Sequence, residues 1–293
     1  MQSVKVNGAK LEYEVTGAGE PLLLISPVIA DGFLPLVAEP ALADRYQLIR
    51  YHKRGWVGSA HTSAPVSVAG HAADAAALLD RLDLRRTHIA GHSSGAAVAM
   101  QLALDHPEHV HTLVLLEPSL IAVPSLEAFL TQAGPAFAAY ASGDHPGALA
   151  IFMSAVSGLE WGKARALLEQ RVPGALEQTI RDADTFFGVE LPALTEWVFG
   201  AEQAAAIHQP VLSMLGSETQ PLWVEVAEFL RATLPHVDEC TIDGAGHLLP
   251  IQRPETVARG MAEFLGRHRI GDANATRSSV LHRTVVRRWP VSR

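Results

Sequence analysis

A mostly parallel α/β sheet, flanked by helices and carrying an inserted helical cap, is predicted by three observations. Short apolar runs bounded by turn residues alternate with segments of helical periodicity up to residue 118, and again from residue 208. Those runs, such as Pro21-Leu-Leu-Leu-Ile25, are continuous rather than alternating, as in strands buried on both faces. Residues 119–207 contain no such run, only helical segments punctuated by Pro124, Gly134-Pro135, Pro146-Gly147, Pro173-Gly174 and Pro192. A stretch this long and this apolar is not a structureless loop. The expected organisation is an α/β core of 1–118 and 208–268, a helical cap of 119–207, and a basic C-terminal tail of 269–293 that is expected to be poorly ordered.

Each element has a local reason. Ser3–Val6 and Lys10–Val15 read as strands joined by Asn7-Gly8, a strong hairpin turn signal. Pro21–Ile25 and Tyr46–Tyr51 are the next strands, and Lys53–Ser59 is a glycine-punctuated loop. His71–Leu84 places Ala75, Leu78, Leu79 and Leu82 at helical spacing. A strand through His88-Ile89-Ala90, a small-residue helix Ala96–Leu104 and a strand Thr112–Leu116 follow. After the cap come a strand Pro210–Leu215, a helix near Leu222–Leu234, a strand Glu239–Ile242 and a final helix near Pro254–His268. From Arg269 onward five arginines stand with one acid, Asp272, after Arg269 itself, and no element there is demanded by the fold.

Composition excludes several classes. The 293 residues carry a net charge of −8, which argues against general nucleic-acid binding through a basic face. The single cysteine, Cys240, excludes an intrachain disulfide and reads as a buried thiol in a strand. No apolar stretch approaches the roughly 20 residues that span a bilayer, and the N-terminus lacks a charged-then-apolar leader, so a cytoplasmic location is the default expectation. His106, His109 and His111 cluster in sequence, but as a surface turn rather than converging metal ligands.

The chemistry is concentrated at Gly91-His92-Ser93-Ser94-Gly95. Gly-x-Ser-x-Gly between a strand and a helix forms a sharp elbow that holds one hydroxyl above the sheet. Its glycines leave room for helix and strand to lie close together. His247 lies in a glycine-flanked loop after the last strand, and Glu117 ends the strand that follows the elbow. On such sheets, residues at the carboxyl ends of strands share one cleft.

Through Gly91–Gly95, the His106-Pro107-Glu108 step and the run from His247 to Pro254-Glu255, the chain resembles the capped members of the α/β-hydrolase superfamily over about residues 1–267. The order Ser93, acid, His247 matches the chain order of that family. The resemblance implies Ser93 as nucleophile and His247 as base. It implies an oxyanion hole from the N–H groups of Val28 and Ser94, even though Ser26-Pro27 stands where members usually carry His-Gly. Many members place the acid three residues after the glycine that follows the late strand, where this chain has Thr219. Two acids are therefore open: Glu117, as in the similar zearalenone lactonases, and Glu218 as the alternative. Glu117 is preferred because it follows a rigid strand. His52 stands where members often have aspartate, and Asp31 is either a substrate contact or a helix cap.

The activity so implied is an esterase or lactonase acting through an acyl-enzyme on a small or medium apolar molecule, with no metal or organic cofactor. A carboxylate beside His247 is expected to raise its pKa above about 6.5 and to place most activity above neutrality. The expected partner is that small molecule, with neither nucleic acid nor membrane, and the chain a monomer or homodimer. The same residues serve carbon–carbon bond hydrolysis or peracid formation in other members, and the fold also serves non-catalytic small-molecule receptors.

Overall fold

The computed structural model of the chain describes residues 1–62, 64–119 and 122–272, together with the backbone of 286–289. Nine strands form one sheet: β1 (Gln2–Val6), β2 (Ala9–Thr16), β3 (Glu20–Ile25), β4 (Tyr46–His52), β5 (Thr87–His92), β6 (Val110–Leu116), β7 (Val211–Gly216), β8 (Val237–Ile242) and β9 (Val286–Trp289). Their spatial order is β1-β2-β4-β3-β5-β6-β7-β8-β9. β1 pairs antiparallel with β2, and β2 with β4; every other neighbouring pair is parallel. Asn7 and Gly8 turn the first hairpin with φ of 45° and 77°, the left-handed values that a two-residue turn requires.

The continuous apolar runs have the origin expected of them. Along β3, Leu23 and Ile25 pack on one face with Ile49, Ile89, Leu113 and Leu115. Leu22 and Leu24 pack on the other with Leu48, Ala90, Val114 and Leu116. The first face is covered by helices Val68–Arg81, Ser94–Asp105 and Pro221–Thr233, the second by Pro254–Arg267. With both faces covered, a polar group on a central strand is costly unless partnered; His88, for example, meets the Thr112 hydroxyl at 2.8 Å.

Helices fill the chain between β6 and β7, the longest being Leu126–Ala141, His145–Ser157 and Trp161–Arg171. Their aromatic residues pack on one another: Phe152 and Phe186 meet edge to face with centroids 4.7 Å apart, and Phe186 and Phe187 at 4.8 Å. Among the described residues, no helix is long and apolar enough to cross a membrane.

The tail departs from its expectation in one place. Val286–Trp289 pairs in parallel with β8, from Glu239–Val286 to Ile242–Trp289. The open edge of β8 offers backbone donors and acceptors to any extended segment, so this pairing leaves no side-chain pattern by which to expect it. The rest of the expected tail, 273–285 and 290–293, lies outside the described residues.

Candidate active site

Three strand ends converge on Ser93. The residue leaves β5 with φ 54° and ψ −121°, a left-handed conformation uncommon outside glycine, and the chain passes directly into helix Ser94–Asp105. A Cβ on Gly91 would stand 2.6 Å from the Ala96 Cα, and one on Gly95 would run into the Ile25 carbonyl. Only glycine at both positions lets the helix lie this close to β3 and β5. The Ser93 N–H donates to the Leu116 carbonyl at 3.0 Å, tying the elbow to the end of β6. Glu117 follows with φ 42°, its own N–H donating to Met214 of β7 at 3.2 Å.

His247 reaches these strand ends from the loop after β8. Its carbonyl accepts the His92 Nε2–H at 2.8 Å, and the Trp223 indole stacks on its ring, centroids 3.9 Å apart and 10° from coplanar. His247 Nδ1–H donates to Glu117 Oε2 at 2.8 Å, and the Ser93 hydroxyl donates to Nε2 at 3.1 Å. Glu117 also accepts the Gly216 N–H on Oε1 at 2.8 Å and the Thr219 hydroxyl on Oε2 at 2.9 Å. Thr219, at the position where the resemblance placed an acid, thus donates to Glu117. Glu218 is exposed, and among the described residues the carboxylate on His247 is that of Glu117.

Burial bears on both partners. It pushes the His247 imidazolium down to about 3, and the Glu117 carboxyl up to about 7 against the pull of the Gly216 and Thr219 donors. We assign the resting pair as carboxylate and neutral imidazole. The carboxylate has three donors to offset its desolvation, whereas the buried ring, with burial as the cause that lowers its pKa, is more stable neutral. The expectation that the carboxylate lifts His247 above its ordinary value is corrected here, because desolvation of the ring dominates. A depressed histidine stays neutral, and able to accept a proton, below pH 6.5. The acid limb of kcat/KM for any Ser93-dependent reaction should therefore lie below pH 6.5; a limb centred at 7 or above would place the titrating proton on Glu117 instead.

Val28, Ser93 and Ser94 line one narrow cavity of about 40 Å³, and the Ser94 N–H belongs to the unpaired N-terminal turn of its helix. The remaining wall is mostly apolar, with Phe129, Phe137, Phe152, Phe186 and Trp223 beside aliphatic residues, and with the hydroxyls of Ser119 and Thr195. Behind it lies a buried polar group that the sequence did not announce. Glu190 Oε1 accepts from the Ser94 hydroxyl at 2.6 Å and from Lys53 Nζ at 2.7 Å, and Oε2 accepts from the Trp56 indole at 2.8 Å. Burial opposes the Glu190 charge, but Lys53, His71 and the Ser94 hydroxyl outweigh it and hold the carboxyl below its ordinary pKa. Glu190 sits on the inserted helices and Lys53 on the core, 137 residues apart, so nothing local in the chain signals the pair.

Other candidate residues stand elsewhere. Asp31 neither caps the following helix, whose N-cap is Phe33, nor joins the cavity residues above; it accepts from Arg50 at 2.6 Å and contacts His52 Nε2 at 3.2 Å. His52 is held between Asp31 and Glu12. His109 donates to the Leu84 carbonyl and His111 to that of His268, so the histidine run is spent on separate backbone contacts.

A family model described as the alpha/beta hydrolase fold matches residues 30–254. Among curated relatives, the candidate carbamate hydrolase RutD of Azorhizobium caulinodans is 36% identical over 108 residues, 37% of this chain and 41% of that protein. The uncharacterized hydrolase YraK of Bacillus subtilis is 31% identical over 121 residues, 41% of this chain and 45% of that one. These matches span less than half the length of either relative. Of solved structures, an esterase from Thermogutta terrifontis superposes with a TM-score of 0.73 at 23% identity, over 92% of this chain and 100% of that one. An enol-lactonase from Burkholderia xenovorans gives 0.74 at 18% identity, over 90% of this chain and 100% of that one. At these identities the two structures establish the fold.

Proposed function

The chain belongs to the α/β-hydrolase family, and on that premise we propose that it is a serine hydrolase of carboxylic esters or lactones. The observation that carries this reading is the line of hydrogen bonds from Glu117 through His247 to Ser93, ending in an apolar cavity. His247 Nε2 takes the Ser93 proton as Oγ attacks the carbonyl carbon. Glu117 fixes the Nδ1–H tautomer and stabilises the imidazolium formed in that step. The Val28 and Ser94 N–H groups bind the developing oxyanion, a role usually worth several kcal/mol in such sites. His247 then gives its proton to the leaving alcohol and takes one from the water that releases the acid.

The apolar wall selects an apolar substrate. The inserted helices act as a cap, because they supply Phe129, Phe137, Phe152 and Phe186 of that wall. Relatives and neighbours named as a carbamate hydrolase, an esterase and an enol-lactonase all fit attack on an acyl carbonyl. A fluoroacetate dehalogenase of Burkholderia is also a relative, at 29% identity over 140 residues; the bonds from Glu117 through His247 to the Ser93 hydroxyl favour the acyl reading here. A panel of p-nitrophenyl esters and lactones of graded size tests the reading. Short and medium apolar acyl groups should turn over best, and charged acyl groups poorly. Failure of every ester and lactone, with turnover of a carbamate, would move the assignment to that carbonyl class.

A further inference from the structure

We propose that Ser119 is a further catalytic residue, whose hydroxyl donates to Ser93 Oγ and stabilises that oxygen as it departs in deacylation. The inference rests on the acyl-enzyme reading above. Ser119 is buried on the cavity wall, two residues beyond Glu117. Its N–H donates to the Ser93 carbonyl at 3.3 Å, which sets its backbone against the elbow. Its hydroxyl lies 2.7 Å from Ser93 Oγ, closer than the 3.1 Å between Oγ and His247 Nε2.

The direction of this bond follows from the histidine. Glu117 holds the imidazole proton on Nδ1, so Nε2 is an acceptor. Ser93 donates to Nε2, and the hydrogen in the 2.7 Å contact therefore comes from Ser119.

The consequence differs between the two half-reactions. In acylation the Oγ–carbon bond forms, the Ser93 proton passes to Nε2, and Nε2 passes it to the departing alcohol. In deacylation a water gives its proton to Nε2 and its oxygen bonds to the carbonyl carbon. The Oγ–carbon bond then breaks with its electron pair on Oγ, and Nε2 returns the proton there. Ser119 keeps its own proton throughout and supplies only a hydrogen bond. Resting Ser93 is a hydroxyl and already a good acceptor, so that bond exists before attack and adds little to acylation. The acyl-enzyme Oγ is an ester oxygen and a poor acceptor, and it gains charge as its bond to carbon breaks. Only a contact that strengthens on going to the transition state accelerates a step, so the benefit falls on deacylation.

Ser119→Ala and Ser119→Thr, with p-nitrophenyl acetate, stopped-flow kinetics and intact-mass analysis of quenched samples, test this. Loss of one hydrogen bond should lower kcat of Ser119→Ala about tenfold. KM should fall by a similar factor, leaving kcat/KM within about threefold, and acetylated Ser93 should accumulate in the steady state. Ser119→Thr, which keeps the hydroxyl, should restore kcat. Parallel loss of kcat and kcat/KM without accumulated acyl-enzyme would overturn the proposal and leave Ser119 a support for the elbow; an unchanged kcat would overturn it as well. Wild-type enzyme that hydrolyses the ester without any Ser93 adduct would instead overturn the acyl-enzyme reading itself.

Discussion

Ser93→Ala should lower ester turnover by about a million-fold, the scale seen when the nucleophile of a serine triad is removed in subtilisin. His247→Ala should be comparably damaging, because a hydroxyl without a base is not a nucleophile at neutral pH. Neither loss requires a change in fold. The Ser93 hydroxyl contributes two hydrogen bonds, to His247 and Ser119, and the elbow backbone is held independently by Leu116 and by the close approach at Gly91 and Gly95. The melting curve of Ser93→Ala should stay near that of the wild type, and His247→Ala, which loses the ring stacked on Trp223 and a donor to Glu117, should melt lower but still cooperatively. Undiminished hydrolysis by clean Ser93→Ala enzyme would remove Ser93 from the chemistry.

Glu117→Gln should cost about ten-thousand-fold, and Glu218→Gln almost nothing. The reason lies in the donors around Glu117. A carboxylate accepts from Gly216, Thr219 and His247 at once. A glutamine offers one oxygen and two N–H groups, so its amide nitrogen must face at least one of those donors. Facing Gly216, it leaves a buried N–H unpaired; facing His247, it forces the imidazole proton onto Nε2, where the ring can no longer accept from Ser93. Glu218 is exposed, with its side chain away from this network. The reverse ranking of the two variants in kcat/KM would move the acid to Glu218.

Much of this arrangement was legible in the chain. Ser93 stands in a motif whose glycines have one physical purpose, and the close approaches at Gly91 and Gly95 show it. Glu117 could be weighed as the acid because it directly follows a rigid strand; its positive φ, which is part of its placement, could not be read from the sequence. The alternation of strands and helices gave the layers, and the apolar runs marked strands buried on both faces. What escaped were contacts made only by tertiary packing. Trp223 stacks on His247 from a helix 24 residues earlier, and Lys53 meets Glu190 across 137 residues. Thr219 was visible as a departure at the common acid position, but its donation to Glu117 needed the fold of β6 against β7. Desolvation of His247 was equally hidden, since a histidine's burial is not written in its neighbours along the chain. Backbone pairing of Val286–Trp289 with β8 follows from an open sheet edge, which leaves no mark in side-chain order.

Fluorophosphonate labelling with peptide mapping reports on the Ser93 hydroxyl itself, because only an activated hydroxyl reacts at useful rates. One adduct is expected, on Ser93. It should be absent in Ser93→Ala and formed far more slowly in His247→Ala and Glu117→Gln, while Glu218→Gln labels like the wild type. An adduct on another residue, or catalytically active enzyme that takes up no label, would contradict the assignment of Ser93, His247 and Glu117 as one catalytic unit.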